Sequence, residues 1–585
     1  MQWTRSGISV FYLDLLGPTP RSALFSTANR VLCPLIERCH PHDGVLAPSY
    51  ITRSKSPVIT YLKRNARLSA HFVSLTLAML DLLTSHSALG LVSAAFAISL
   101  VLRSYFAKPK LPHTLLPFLG SALAVDVTAP WLTYKAWGNQ YGDVVYTRLF
   151  GQDNIIINSE RVARDLLEHR SHNYSDRPEI ATNELFGVDY TTAFMRYGSR
   201  WRLQRKILHQ SFRQDAVPTF QPMQVAKSHD LLLNLLEDPL NYPEHLEAHS
   251  GSVIMSAVYS YNAARRHDHM IERATMALDL MLKELRPEVA AVFSAYPFLL
   301  RLPSWLPGMR LKRISPLAKE LAVENLERPF AHTERGLAMG SVSPCMVAKH
   351  LAELDDGHVD SAWQKKAIQE SAATAFGAAV LMNFMLVMIL HPDVQQKAQK
   401  LVDSVVGPKR LPTFHDRPSL PYIDAILREC LRWHPVFPLA IMHAAVESDI
   451  YEGYYIPKGA TVTPNVWAMC HNEDKYANAS EFNPDRFLNP DGTLTDDTVG
   501  FVWGFGRRIC PGRHLAEASI WSGMVCLLAV FNFSRAKDET GKAIEIEPRW
   551  NPGLTVRPLP FPCSITPRNA DMDITALQHL IRVSV

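Results

Sequence analysis

A helix-rich α+β body with small β-sheets at its edges, preceded by a single membrane-spanning helix, is the fold class this sequence predicts. Three observations lead there. From about Gly138 onward helical periodicity dominates, with long stretches around Ile368–Val406, Tyr422–Trp433 and Gly512–Phe531. Residues 143–158 and 450–465 instead alternate apolar and polar residues around Gly or Pro turns, as short strands do. One strongly apolar run precedes all of these. The 585 residues exceed what one ordinary core needs, so they imply one very large domain or two smaller ones. A hydrophobic fraction of 47% and a charged fraction of 20% are globular values.

The chain opens on a basic, Ser-rich extension, residues 1–67. It carries nine Lys/Arg against three Asp/Glu, so the net charge of +4 is concentrated there and the body is slightly acidic. A nucleic-acid-binding protein would carry its positive charge on the folded body, so no nucleic-acid partner is expected. The extension suits an organelle transit peptide, a disordered tail or a gene-model artefact, and these stay open. Eight cysteines scattered over so long a chain indicate a reducing compartment rather than a disulfide scaffold. Cys33, Cys39, His40 and His42 lie close together, but their spacing fits no common zinc pattern.

The apolar run follows. Ala88–Leu102 falls short of a membrane span, and starting at Leu82 brings it to the roughly 20 residues required. Arg103, Lys108 and Lys110 then stand ready for lipid head groups, and a buried core helix is the alternative. Charge does not orient the span, because Lys63, Arg64 and Arg67 flank its other side. Residues 108–120, with Pro109, Pro112, Pro117 and Gly120, form a stiff hinge. The body is expected over 121–568 and a tail over 569–585.

The chemistry concentrates in Trp503-Gly-Phe-Gly-Arg-Arg-Ile-Cys-Pro-Gly512. Two glycines fold the backbone tightly, and Pro-Gly opens a helix with Cys510 at its N-terminus. Unpaired N–H groups and the helix dipole favour thiolate there. A thiolate bound to iron favours O–O cleavage. Arg508 is suited to a carboxylate through charge-assisted bonds. Elsewhere, Glu429 and Arg432 share a helix face at i, i+3. Trp201 and Arg205 lie four apart behind RYGSR.

These strings together resemble the cytochromes P-450. The Cys510 loop is similar to that family's haem-binding loop, with Trp503 in place of the usual Phe. ILRECLRWHP followed by FNPDRF is similar to its Glu-x-x-Arg helix and downstream Arg. Trp201–Arg205 matches its Trp-x-x-x-Arg pattern. The resemblance covers roughly Leu111–Arg568. HPDVQQKAQKLVDSVVG, LPTFHDRPSLPYIDAILRE and EGYYIPKGATV look like the microsomal monooxygenases of basidiomycete fungi (O-methylsterigmatocystin oxidoreductase-like). The resemblance implies haem b, iron protoporphyrin IX, with Cys510 as axial ligand. Around it would stand Phe505, Gly512, Trp201, Arg205, Arg508 and His443, the last weakened because Ala444 replaces the usual following Arg. Glu429, Arg432 and Arg486 would form a buried structural ion network.

One departure bears on the reaction. Counting back from His391-Pro392 puts Ala375 where the family has an acid and Phe376 where it has its principal Thr. Neither side chain can relay a proton. Thr374 is the weak remaining candidate for that task, two positions short, and Glu370 is a full turn early.

The implied activity is insertion of one atom of O2 into an apolar secondary metabolite, steroid or polycyclic aromatic. NADPH–cytochrome P-450 reductase would supply the electrons. The alternatives are a haem-thiolate isomerase, dehydratase or peroxygenase needing no reductase, or an impaired haem-binding relic. The substrate pocket is expected from Glu179–Met195, Ala372–Gly377 and Val436–Met442. The expected place is the endoplasmic reticulum, single-pass in membrane lipid with a cytosolic catalytic domain. A mitochondrial place is the alternative if the extension is a transit peptide.

Overall fold

The computed structural model describes residues 120–584, apart from 285–286, 355–359 and 375–379. The extension 1–67 with Cys33 and Cys39, the expected anchor 82–102 and the hinge as far as residue 119 lie outside the described residues, as do Ala375, Phe376 and Gly377. Among the described residues no helix is long and apolar enough to cross a membrane.

The longer helices are α1 (Pro130–Tyr141), α2 (Ser199–Phe212), α3 (Gln221–Glu237), α4 (Tyr242–Tyr259), α5 (His269–Glu284), α6 (Pro287–Ala295) and α7 (Arg310–Ala338). They continue with α8 (Ser361–Thr374), α9 (Val380–Leu390), α10 (Pro392–Val406), α11 (Pro421–Trp433), α12 (Arg513–Val530) and α13 (Ile574–Ser584). The strands are β1 (Val144–Leu149), β2 (Gln152–Ile157), β3 (His443–Ala444), β4 (Asp449–Tyr451), β5 (Tyr454–Ile456), β6 (Thr461–Pro464), β7 (Phe531–Arg535) and β8 (Cys563–Pro567).

Two of the small sheets begin from the same local chemistry. β1 and β2 pair antiparallel across Phe150-Gly151, and β4 and β5 across Glu452-Gly453, with positive φ at all four turn residues. Such two-residue turns match the right-handed twist of the strands they join. Glycine carries one of the two positive φ angles in each turn without strain. β2 then pairs parallel to β6, and β6 antiparallel to β3, closing a four-stranded sheet of order β1-β2-β6-β3. His443 enters this sheet opposite Val462, which fixes its place relative to the loop before it.

The core forms around α9, whose sequence VLMNFMLVMIL is apolar on every side, so the helix is buried all round. Its one amide, Asn383, donates to the His434 carbonyl at 2.9 Å. The long helical stretch expected over 368–406 is divided. Pro392 opens α10, which suits a first-turn proline, and α9 ends at Leu390 because the residue before a proline avoids helical geometry. The tail also departs from expectation: α13 buries Leu577 completely, and Ser584 Oγ accepts from the Leu411 N–H.

α3 and α4 hold two histidines away from water, His229 and His249, 3% and 5% exposed. Burial pushes both imidazoles down to about 4. In the folded chain they therefore stay neutral far below the pH of about 6.5 at which the unfolded chain protonates them. Their contribution to stability is complete above pH 6.5 and is lost as pH falls toward 4. Denaturant unfolding should show stability dropping between pH 6.5 and 4.5. His249→Gln should shrink that drop by roughly 2 kcal/mol. Equal slopes for the two proteins would contradict the assignment.

Candidate active site

Cys510 sits at the end of a tightly wound loop, immediately before α12. Val499 opens it with φ of 52°, and Gly504 and Gly506 follow at 88° and 50°. The Cys510 N–H donates to the Trp503 carbonyl at 2.8 Å, and Arg508 N–H to Phe505 at 3.0 Å, so the loop is closed on itself. Gly506 is required for a second reason. A Cβ there would run into the Leu167 carbonyl oxygen, which the loop packs against. Phe505 is completely buried beneath it. Burial raises the Cys510 thiol, while the Gly512 N–H, Arg205 and Arg513 pull it the other way. A bound metal cation would tip that balance to thiolate.

Cationic side chains gather on the Cys510 loop and on the segments packed against it. Arg508 lies 4.3 Å above the ring of Trp201, which α2 presents from its buried face. One turn on, Arg205 donates to the Ile509 carbonyl. His443 Nδ1 donates to the Tyr174 carbonyl at 2.7 Å. A third arginine, which the sequence reading missed, completes the group. Arg177 is 4% exposed and donates to Ala193, Ile441 and Met442 carbonyls at 2.9, 2.7 and 2.8 Å. No motif spacing marks it, because its partners come from two distant segments.

The expected carboxylate partner of Arg508 is absent among the described residues. Its three bonds go to the carbonyls of Ser175, Thr192 and Met195. The adjacent carboxylate, Asp176, is taken by Arg196 at 2.7 Å and by the Tyr197 N–H. Burial lowers Arg508 to about 10. It also drives Arg177 and His443 well below their ordinary ranges, with Arg508 and Arg177 adding repulsion. Asp176 favours the charged form of both arginines but is shared with Arg196, so the buried cations outnumber their anion, which is costly. The donor set therefore fits a further anionic group, such as the two propionates that haem would bring.

The ion network is present as a unit. Glu429 and Arg432 on α11 are completely buried and paired at 2.6 Å, and Arg486 reaches the same carboxylate at 3.1 Å. Thr374, the weak relay candidate, is committed within the protein. Its hydroxyl donates to the Glu370 carbonyl at 2.9 Å and accepts from the Thr192 N–H at 3.3 Å. Glu370, 2% exposed, grips Arg200 at 2.6 Å and accepts from Gln204 at 2.7 Å.

A small cavity opens beside Arg177. Ile180, Asn183, Phe194, Ile441 and Met442 line it, within two of the three expected segments, and Ala290 and Leu554 join them from segments not expected. The third segment falls partly outside the described residues.

This is the architecture of a haem-thiolate enzyme: a mainly helical body with small sheets, a cysteine at a helix start and a buried cationic group facing it. A family model described as Cytochrome P450 matches residues 109–563. Cytochrome P450 monooxygenase COX1 of Coprinopsis cinerea is 35% identical over 78% of this chain and 90% of its own length. Cytochrome P450 monooxygenase 208 of Postia placenta is 36% identical, over 79% of this chain and 91% of its own. Cytochrome P450 monooxygenase ppsD of Aspergillus oryzae is 36% identical, over 78% and 88%. The chain belongs to the cytochrome P450 family. It is a haem-thiolate monooxygenase with haem b as cofactor, and it works with a substrate, O2 and a redox partner.

Because Gly506 has no room for a side chain, Gly506→Ala should displace the Cys510 loop. The purified variant should retain less than about a tenth of the haem per chain, a loss of at least 1.4 kcal/mol in retention. Haem content equal to that of the parent would show that the close approach to Leu167 is not needed.

Proposed function

We propose that Cys510 is the axial ligand and that the chain is a microsomal-type monooxygenase of apolar secondary metabolites, steroids or polycyclic aromatics. The single observation that carries this is the cysteine just before α12, on a loop that packs with the buried Arg508 and Arg177, whose charge the nearby Asp176, shared with Arg196, does not balance. Arg205, Arg508, Arg177 and His443 bind the propionates, and Trp201 and Phe505 pack the site. When bound, haem supplies the dioxygen-activating chemistry. The protein's part is to hold it, exclude water and present the substrate from the apolar walls at Ile180, Phe194 and Met442.

NADPH–cytochrome P-450 reductase supplies the electrons in this reading. Residues 82–102 anchor the chain in membrane lipid as a single pass, with the catalytic domain on the cytosolic side of the endoplasmic reticulum. The basic residues 1–67 would instead direct it to mitochondria if they are cleaved on import. Residues 121–568 are the catalytic unit, behind the hinge at 108–120.

A second reading rests on Ala375 and Phe376, which leave the sequence without the family's acid and alcohol. Thr374 does not replace them, since its hydroxyl is engaged by Glu370 and Thr192. A peroxygenase or isomerase needs no such delivery and no reductase.

Cys510→Ser should remove the red-shifted Soret band of the reduced carbonyl complex, and a variant that kept it would end the assignment. Product formed with NADPH and reductase, but not with a hydroperoxide alone, supports the monooxygenase over the second reading. Combining Ala375→Asp with Phe376→Thr should raise product formed per NADPH consumed, because a positioned acid and alcohol can then deliver protons. An unchanged ratio would refute the register assigned to that helix.

A further inference from the structure

Gln204 lies between Trp201 and Arg205 on α2, is not itself a motif residue, and is completely buried. Both ends of its carboxamide are engaged. Nε2 donates to the Glu370 carboxylate at 2.7 Å, and Oε1 accepts from the Thr192 hydroxyl at 2.5 Å. A carboxylate can only accept, so the amide must turn its NH2 to Glu370 and its oxygen to Thr192. Thr192 is buried too, and each of its polar groups goes to a different element. Its hydroxyl reaches Gln204 on α2, its N–H donates to the Thr374 hydroxyl on α8 at 3.3 Å, and its carbonyl accepts from Arg508 at 3.3 Å. The Thr374 hydroxyl in turn donates to the Glu370 carbonyl at 2.9 Å. This closes a ring of Glu370, Gln204, Thr192 and Thr374, with Arg508 attached at Thr192.

A closed set of this kind has few ways to yield. Thr374 stands at the end of α8, in the expected substrate wall, while Trp201 and Arg205 stand on α2, in the expected cofactor site. If α8 shifts, the Thr192 N–H follows it, yet Gln204 keeps the hydroxyl of the same residue on α2. The Thr192 carbonyl then turns relative to Arg508, and the guanidinium loses its aim. A ligand that fills the wall and holds α8 still keeps Arg508 in place. We propose that Gln204 is a positioning residue that couples occupancy of the substrate side to the hold on the cofactor. Both ends of its amide being taken, it acts through Thr192 and Glu370. Such coupling is reciprocal, so substrate and cofactor strengthen each other's binding by one factor. The inference rests on the assignment of Arg508 to the propionates and adds a regulation of that site, retention of the cofactor by the substrate.

The test uses the full-length holoenzyme, with phenanthrene as an apolar polycyclic probe. Transfer of haem to excess apomyoglobin gives the rate of cofactor loss, with and without phenanthrene at saturation. In the parent, phenanthrene should slow that loss roughly fivefold, the low end of ordinary coupling between sites. Thr192→Val combined with Gln204→Leu removes both partners of one bond without stranding either, so the variant should fold. In it the slowing should vanish. Thr192→Ser keeps the hydroxyl and should keep the slowing. If the double variant does not fold, Thr192→Val alone carries the same expectation. No slowing in the parent would overturn the proposal, as would its loss in Thr192→Ser. A double variant that keeps the slowing while its Tm drops would also overturn it, since the ring would then only support the fold. A parent lacking the red-shifted carbonyl band would sink the thiolate reading. A parent with that band and no slowing would sink this inference alone.

Discussion

Two arginines share one carboxylate where no water reaches. Glu429 and Arg432 are completely buried, and Arg486 is nearly so. Such a set is tolerable only if every donor and acceptor is used. For the fully buried pair they are: Arg432 also donates to the carbonyls of Cys470, Ala479 and Glu481, and the Glu429 carboxylate accepts from the Asn483 N–H. This clamps the segment 470–486 onto α11. From there the constraint passes by contact to the sulfur. Arg432 stacks at 5.3 Å on Tyr476, whose hydroxyl donates to Asp497 at 2.7 Å. Asp497 caps the Val499 N–H at 3.0 Å, where the Cys510 loop begins, and Trp503 in that loop accepts from Cys510. Removing the Glu429 carboxylate leaves Arg432 buried and unpaired, at a cost of about 3–5 kcal/mol. The loop geometry is thus set from a distance.

The site at the other end of that path is electrostatically incomplete in the protein alone. Arg177, Arg205 and Arg508 spend their bonds on backbone carbonyls, which neutralise dipoles but not charge. A dianion offered to this group would exchange those bonds for charge-assisted ones, which are about twice as strong. Anything that binds the folded chain and not the unfolded one stabilises it by mass action. Cofactor and fold are therefore coupled through the same arginines that orient the cofactor, and the loops carrying Ser175, Thr192, Met195 and Ile441 settle according to what those arginines hold.

What could be read from the sequence was what local strings determine. Cys510 was legible because two glycines, a Pro-Gly helix start and a charged neighbour all lie within ten residues. Glu429 and Arg432 were legible because one helical turn brings them together. Gly453 and the alternating residues on each side announced β4 and β5. Arg177 was not legible: it acquires its role from carbonyls at 193 and 441–442, and only the packed chain juxtaposes those. The tail was a different miss, since Leu577, Leu580 and Ile581 are spaced as one helix face and all pack on the core. Arg508 was read as a partner for a carboxylate such as a haem propionate, and within the protein its hydrogen bonds go to carbonyls.

The carboxylate at Glu370 connects these threads. It stands on α8, the helix expected to border the substrate, yet all its side-chain bonds run to α2, through Arg200 and Gln204. α2 is also the helix that carries Trp201 and Arg205. Gln204 in turn accepts from the Thr192 hydroxyl at 2.5 Å, and the Thr192 carbonyl is one of the three that Arg508 holds. A displacement of α8 works against the buried Glu370 carboxylate, whose partners on α2 are the partly exposed Arg200 and the buried Gln204. It must move α2 or break the pair, and either course alters the bonds around Arg508. Packed interiors transmit such strain rather than dissipate it. The position that looked a turn too early for proton delivery is thus well placed for another task, holding the substrate-side helix and the cofactor-side helix in one register.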